Sequence, residues 1–450
     1  MSARWVPELD SSSELPLYVQ FVDALRNDIR QGRLTTGDRL PTHRALARQC
    51  GVTVSTITRA ISEATRQHLV SGQVGRGTFV LGSTVDAALF AGSFERGTAS
   101  IIDLASNVPA QRPDDDDLTQ ALRAIGRRTT FETGYPRPAT LLRGQAVIAD
   151  LLRERSFFVS DGDVVLAAGA QQALLATLAV VVGAGGRILV EELTFPGMKS
   201  VARHLNLQLV PVRMDAFGLL PHDLARQIKS SGATALVCVP CRQNPTTATM
   251  SATRRVEIAR VVEKTGLTVI EDDVYGLLQD EPAFASASPA NTLVVTSLSK
   301  CVAPGLRIGA VAGRHPALDT IRREVSLTSW TVSPAMISAA ALWIEDGTLH
   351  QRIAWQRSEI NARNRLFPPN WQGPDSPHRW LPTQTNPDQA VAVLRELGVA
   401  TVSSHSLSTR ASAPKGIRLS ISAAVNRAEL HSAIAIISNA PIRWAASAPS

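Results

Sequence analysis

At 450 residues, 44% hydrophobic and 19% charged, the chain has the make-up of a globular protein of about two to three domains. No run approaches the ~18 uninterrupted apolar residues of a membrane span. The N-terminus lacks the apolar core of a signal peptide, and four scattered cysteines build no disulfide framework, so a cytoplasmic protein is expected. A formal charge of +7 and a pI of about 9.7, carried by arginine with lysine only at 199, 229, 264, 300 and 415, suit a polyanionic partner.

The first unit is expected over residues 15–82. Leu17 to Ile29 has apolar residues at helical spacing, and Gly32 supplies a stop. Thr42 is placed as the N-cap of a second helix, His43 to Cys50, which ends at Gly51. Thr53 caps a third helix from Val54 to about His68. Two short helices joined through Gly51-Val52-Thr53 form a helix-turn-helix pattern. Leu69 to Val80 then reads as two strands joined by a Gly75-Arg76-Gly77 turn, a wing.

In such a module the third helix enters the DNA major groove by its N-terminal end. Val54, Ser55 and Thr56 are therefore the base-edge candidates, with Thr58 and Arg59 one turn on, and the capping Thr53 is counted with the DNA-binding set. Arg44 and Arg48 on the preceding helix suit phosphate contacts. Arg76 at the wing tip, with Gly77 allowing close approach, suits the minor groove or the backbone. Taken by itself, a helix-turn-helix pattern also describes a small helical domain with a solvated arginine face; the wing and its basic tip favour DNA.

Residues 83–100 lose periodicity and gain small polar residues, so a linker is expected there. Beyond it, helical stretches alternate with apolar runs at Val164–Ala167, Arg187–Val190, Ala235–Val239, Leu267–Ile270, Leu293–Val295 and Ile308–Val311. Continuous apolar strands between helices predict an α/β body over 101–440 with a mostly parallel sheet covered on both faces. A smaller α+β subdomain is expected from about residue 338. Asp114–Asp117 reads as a solvated loop or helix start. Cys238-x-x-Cys241 has the spacing of a redox pair, but no second Cys or His pair accompanies it, which disfavours that reading.

The strand ends of this body carry a coherent set of groups. Lys300 follows the run 292–299, and Glu271-Asp272-Asp273-Val274-Tyr275 follows another strand. An aldehyde cofactor held as an imine needs a lysine, a carboxylate to keep its pyridine nitrogen protonated, and cations and hydroxyls for its phosphate, the kit of pyridoxal 5'-phosphate chemistry. Gly169, Ala170 and Gln171 open a helix after a strand and form an anion cup, which Ser297, Ser299 and Arg307 complete. Phe195 is placed to stack on the ring, and Asn244 and Tyr275 to reach its phenolate oxygen. Singly, Asp272 reads equally as a solvated acid, Phe195 as a core aromatic and Asn244-Pro245 as a turn. Together, all at C-terminal ends of predicted strands, they favour a ligand site.

The stretch from Leu15-Pro16-Leu17-Tyr18 through Gly75-Arg76-Gly77-Thr78-Phe79-Val80 resembles the GntR family of bacterial repressors, with Val54 where many relatives have arginine. The region from about Ile101 to Ala440 resembles fold-type I aminotransferases. That resemblance implies a Schiff base at Lys300, a ring-nitrogen partner in Asp272, and a substrate-carboxylate grip in Arg418 of Gly416-Ile417-Arg418. It also implies that Tyr135 reaches the phosphate of a second subunit in a homodimer. Phe195 departs from the tyrosine of many relatives. The union resembles the MocR/GabR subfamily, in which a GntR-type reader is tethered to an aminotransferase-like sensor. The implied function is a regulator that binds a double-stranded DNA operator and senses an amino-containing, carboxylate-bearing effector, or the cofactor itself, through an imine at Lys300. The alternative is an active aminotransferase carrying a DNA-binding domain. A body that has stopped binding cofactor sits poorly with intact Lys300, Asp272 and Arg307.

Overall fold

The computed structural model describes residues 5–10, 13, 15–30, 33–34, 38–66, 69–73, 77–80, 101–128, 134–410 and 413–445. The chain divides into two compact units, Met1–Glu95 with Arg410–Ser412, and Arg96–Thr409 with Ala413–Ser450. None of the described helices is long and apolar enough to cross a membrane.

In the first unit, α1 (Leu17–Arg30), α2 (His43–Gln49) and α3 (Val54–Arg66) are followed by the antiparallel pair β1 (Val70–Gln73) and β2 (Gly77–Val80). The helix periodicity places Phe21, Leu25, Leu46, Ile57, Ala60 and Ala64 in one buried core, joined by Val70 and Val80 from the strands. Thr42 Oγ1 accepts from Ala45 N at 3.3 Å, and Thr53 Oγ1 from Thr56 N at 3.1 Å, the two caps expected. The wing tip at Arg76 and the expected linker 83–100 lie outside the described residues.

The second unit opens with the short strand β3 (Ile102–Asp103). Its main sheet has seven strands: β4 (Val164–Ala167), β5 (Arg187–Glu191), β6 (Gln208–Val212), β7 (Ala235–Cys238), β8 (Thr268–Asp272), β9 (Thr292–Ser297) and β10 (Gly309–Ala312), in the order β4-β10-β9-β8-β7-β5-β6. All neighbours are parallel except β10, which runs antiparallel to both β9 and β4. Six of the seven match the apolar runs. The strand β6, at the edge of the sheet, exposed at Gln208 and half-buried at Leu209–Pro211, carries a proline inside its apolar stretch, which masks it as a strand in the sequence.

Alternate residues of each strand feed opposite cores. Val164 and Leu166 of β4 join the core beneath the helices Pro138–Glu154 and Pro334–Glu345. Val165 and Ala167 join the one beneath Ala170–Val181 and Leu318–Ser329. That two-sided burial is why these strands read as continuous apolar runs.

A separate small core gathers Leu381, Leu394, Ile417, Leu419, Leu430 and Ile434, with Ile102 and Leu104 of the β3 segment. Its three-stranded sheet pairs Arg379–Pro382 and Val402–Ser403 with Gly416–Leu419. The change to this core comes near Leu366 rather than at residue 338. Ile337, Ala340, Leu349 and Ile360 still pack into the large core, because their helices lie on its sheet. Asp117 does begin a helix, but the acidic run is not simply solvated: Asp115 and Asp117 clasp Arg352, each at 2.6 Å.

Candidate cofactor and effector site

The strand ends bring most of the expected residues to one edge of the sheet. Register pairs Ser297 of β9 with Gly309 of β10, and Gly309 with Ala167 of β4. Two residues beyond Ala167, Gly169 caps the helix Ala170–Val181 at φ +99°, backbone that only glycine adopts freely. A Cβ on Gly169 would lie 2.7 Å from Arg307 Nη2, and one on Gly309 2.4 Å from the Gly169 carbonyl carbon. Arg307 donates to Ala168 O at 2.8 Å. A guanidinium thus rests beside the first residues of a helix, a combination suited to an anion. Ser299 Oγ is buried with no hydrogen-bond partner among the described residues, while Ser299 N donates to Ser297 Oγ at 3.4 Å. Gln171 turns its side chain away, donating to Gly197 O at 2.9 Å, so the cradle has its backbone N–H alone.

Three consecutive acids end β8, and their environments separate them. Glu271 accepts from Phe284 N and Ala285 N at 2.7 and 2.8 Å. Asp273 is paired with buried Arg155 at 3.1 Å. Asp272, 6% exposed, has only a 3.3 Å bond from Val274 N. Burial pushes its carboxyl up to about 7; the same N–H bond and the Lys300 charge pull the other way, and Asp273 adds to the rise. Among the three, Asp272 has the fewest hydrogen bonds and no ion pair with a described residue, the Lys300 charge acting on it only through space; burial pushes Glu271 up to about 7 as well, despite its two N–H bonds.

Lys300 Nζ donates to the backbone carbonyl of Asn107. Withdrawal of the amine from water brings its pKa down to about 8, reinforced by Arg418 and opposed by Asp272. Tyr275 is buried, its Oη accepting from Asn107 Nδ2 at 2.5 Å. Arg418 is 2% exposed and makes no ion pair among the described residues, although Asp103 lies within electrostatic reach of it. Its Nη1 donates to Asn244 Oδ1 at 3.3 Å, Nη2 donates to Ala105 O, and Nε is buried without a partner. Desolvation brings this guanidinium down to about 10. A buried cation without a counter-ion is costly, and an arriving carboxylate relieves that cost. Asn244 spends its carbonyl on Arg418, which leaves its NH2 to donate. Half-buried Phe195 caps the helix Pro196–His204 against Gly197.

Tyr135 is not drawn into this cluster: it is 70% exposed and stacks on Trp330, centroids 5.2 Å apart. Asn107 and the buried His378, whose ring lies 5.6 Å from Tyr275 and whose Nε2 is 2.9 Å from Gln243 O, were not anticipated. Neither sits in a motif, and only folding brings them to Tyr275. Cys238 and Cys241 are free and buried, and Cys241 Sγ accepts from Arg155 and Arg255.

On the reader, Arg44, Arg48, Thr53, Val54 and Ser55 are exposed, as a DNA face requires, and Thr56 is half-buried. Thr53 Oγ1 also meets the Ser55 and Thr56 hydroxyls at 2.7 and 2.8 Å. Val54, 45% exposed, is left as the unengaged apolar tip of α3. Arg59, exposed, holds its guanidinium 4.1 Å from the Tyr18 ring centroid of α1, a cation–π contact.

Fold and site together define an aminotransferase-like body behind a winged helix-turn-helix reader. Residues 99–437 match the family model for aminotransferase class I and II, and residues 17–80 that for bacterial regulatory proteins of the gntR family. The chain therefore belongs to the aminotransferase class I and II family with a gntR-type reader, the architecture of the MocR/GabR subfamily. It is 32% identical over 367 residues to the uncharacterized HTH-type transcriptional regulator YdeF of Bacillus subtilis, spanning 80% of this chain and 78% of that one. A second B. subtilis relative of the same description, YisV, is 29% identical over 391 residues and 80% of each chain. The crystal structure of an archaeal alanine:glyoxylate aminotransferase superposes with a TM-score of 0.73 over 79% of this chain and 95% of that chain. At 18% identity, that likeness speaks for the fold alone.

Proposed function

We propose that this chain is a DNA-binding transcriptional regulator whose body holds pyridoxal 5'-phosphate and senses a small metabolite bearing both an amine and a carboxylate. Bound pyridoxal phosphate supplies an aldehyde that condenses reversibly with amines. The residues present fit it. Ala170 and Gln171 offer backbone N–H groups to its phosphate, Gly169, whose own N–H donates to Ala167 O, leaves the room for its approach, and Arg307, Ser297 and the Ser299 hydroxyl complete the cradle. Asp272 supplies the negative charge that keeps the ring nitrogen protonated. Phe195 covers the ring face, and Tyr275 and the Asn244 NH2 donate to its phenolate oxygen.

Lys300 provides the amine that an effector amine displaces, and a pKa brought down to about 8 makes the neutral, nucleophilic form far more abundant at pH 7 than in an ordinary lysine, though still the minority. Arg418 grips the effector carboxylate in a bidentate fork. That buried guanidinium without an ion pair among the described residues is the observation that carries the effector assignment. Tyr135, exposed beside Trp330, reaches the phosphate held by a second copy in a homodimer. Val54, Ser55 and Thr56 meet base edges of a double-stranded operator, Thr53 holding the helix start, while Arg44 and Arg48 hold its phosphates with Arg76 and Gly77 at the wing. Arg59 stands one turn on, beside Tyr18. A polyanion-binding head has no use in simple amino-group transfer, which favours the regulator over the enzyme.

The test is to load the protein with pyridoxal phosphate and add amino acids and 2-oxo acids one by one, following absorbance and operator affinity. A single amine exchange that changes operator affinity is expected; repeated turnover with no change in affinity would mark an enzyme instead. Lys300→Ala is expected to remove the visible band while leaving nonspecific DNA affinity intact, and a retained band would refute the lysine assignment.

A further inference from the structure

Asn107 lies 168 residues from Tyr275 in the chain, yet its Nδ2 donates to the Tyr275 hydroxyl at 2.5 Å and its carbonyl accepts from Lys300 Nζ. An amide NH2 has no lone pair to offer, so the phenol oxygen must be the acceptor at this contact. The phenol's own proton is thereby left for another acceptor, and among the described residues Tyr275 Oη has no second partner. Burial holds the phenol pKa well above its ordinary value, so that proton stays on at working pH.

The segment carrying Asn107 is itself fixed. Asp103 Oδ1 accepts from Ala105 N at 2.8 Å and Ser106 N at 3.0 Å, and Ser420 N donates to Leu104 O at 2.7 Å. The same segment offers Ala105 O to Arg418. One wall of the site therefore touches the lysine, the tyrosine and the carboxylate grip together.

We infer that Asn107 is a positioning residue: it commits the Tyr275 hydroxyl to donate into the site, toward the ring oxygen of bound pyridoxal phosphate, and steadies the Lys300 amine beside it. The inference rests on the cofactor reading of this site. A hydroxyl that accepts one hydrogen bond donates a stronger one, because linked bonds polarise each other. Donation to the ring oxygen drains negative charge that otherwise helps hold a proton on the Lys300 nitrogen. Weakening that donation therefore raises the pH at which the nitrogen loses its proton.

The experiment is a pH titration of the visible absorbance of the full chain saturated with pyridoxal phosphate. Asn107→Leu is expected to raise the midpoint in the same direction as Tyr275→Phe, by roughly half a unit, or about threefold in proton affinity. In the Tyr275→Phe background the same change is expected to add nothing, since its effect runs through the missing hydroxyl. Asn107→Ser keeps a donor and is expected to recover part of the wild-type midpoint; it also gives the same comparison should the leucine variant fold poorly. Equal shifts in both backgrounds, or no shift beside a clear one from Tyr275→Phe, overturn the role of Asn107. Absence of any Lys300-dependent visible band overturns the cofactor reading, and this inference with it.

Discussion

Asp272→Asn replaces a buried carboxylate that has no ion pair with a described residue by a neutral group of the same shape, and its effect on stability is set by linkage. Burial raises the Asp272 pKa from an ordinary 3.8 to about 7. Between those values the folded protein keeps a proton that the unfolded chain has already released. The Asp272 contribution to the stability of the cofactor-free protein therefore falls as pH climbs through that window and levels off above about 7. Roughly three units at about 1.4 kcal/mol each amount to about 4 kcal/mol, which the asparagine variant should recover. Urea unfolding of cofactor-free protein should thus show no difference below the window and a variant more stable by up to about 4 kcal/mol above it.

Pyridoxal phosphate is expected to reverse the preference. Its ring-nitrogen proton loses its counter-charge in the variant, so affinity should fall by roughly tenfold or more. Asp273→Asn is the contrast: it strands buried Arg155 and should destabilise by about 3–5 kcal/mol whether or not cofactor is bound. An asparagine at 272 that destabilises the cofactor-free protein above neutral pH, or a stability gap indifferent to pH, would refute the reasoning.

Arg418→Met removes a buried guanidinium that makes no ion pair among the described residues, so melting of the unliganded protein should be unchanged or higher, by up to about 4 kcal/mol. The same variant should lose its spectral response to carboxylate-bearing amines, and Arg418→Lys should not restore it, because lysine cannot form the bidentate fork. On the reader, Arg44→Ala should weaken binding evenly across DNA sequences and reduce the slope of log affinity against log salt by about one. Val54→Ala should instead change which operator is preferred and leave that slope alone, since an apolar tip reads thymine methyls rather than phosphates; competition binding at two salt concentrations separates the two outcomes.

Several features were legible because they depend on residues close together in the chain. The reader's caps at Thr42 and Thr53 and the helix periods of Leu17–Ile29 and Val54 onward are local in this sense. So are six of the seven sheet strands, whose burial on both faces leaves an unbroken apolar run. The half-exposed edge strand β6 carries a proline inside its run and went unseen. The change from large to small core was read near residue 338 but falls near Leu366. A helix's apolar face does not say which of two cores it meets, and the helices 334–345 and 348–364 meet the large one. The acidic run at Asp114–Asp117 gave no sign of Arg352, more than two hundred residues away.

Residue type and order alone were enough to propose a lysine, a carboxylate and a phosphate cradle at successive strand ends, since parallel strands deliver their C-terminal ends to one edge; the arginine grip at Arg418, inside the strand Gly416–Leu419, came from the family resemblance. What distinguishes Glu271, Asp272 and Asp273 is not in their order. It arises when two backbone N–H groups satisfy the first and Arg155 the last, leaving the middle acid buried and unpaired. The approach of Asn107 to Tyr275 and Lys300, and the burial of Arg418 without an ion pair among the described residues, belong to the same class. Both come from contacts between segments remote in sequence, and hydrogen-bond satisfaction and desolvation at such contacts exist only once the chain has closed around them.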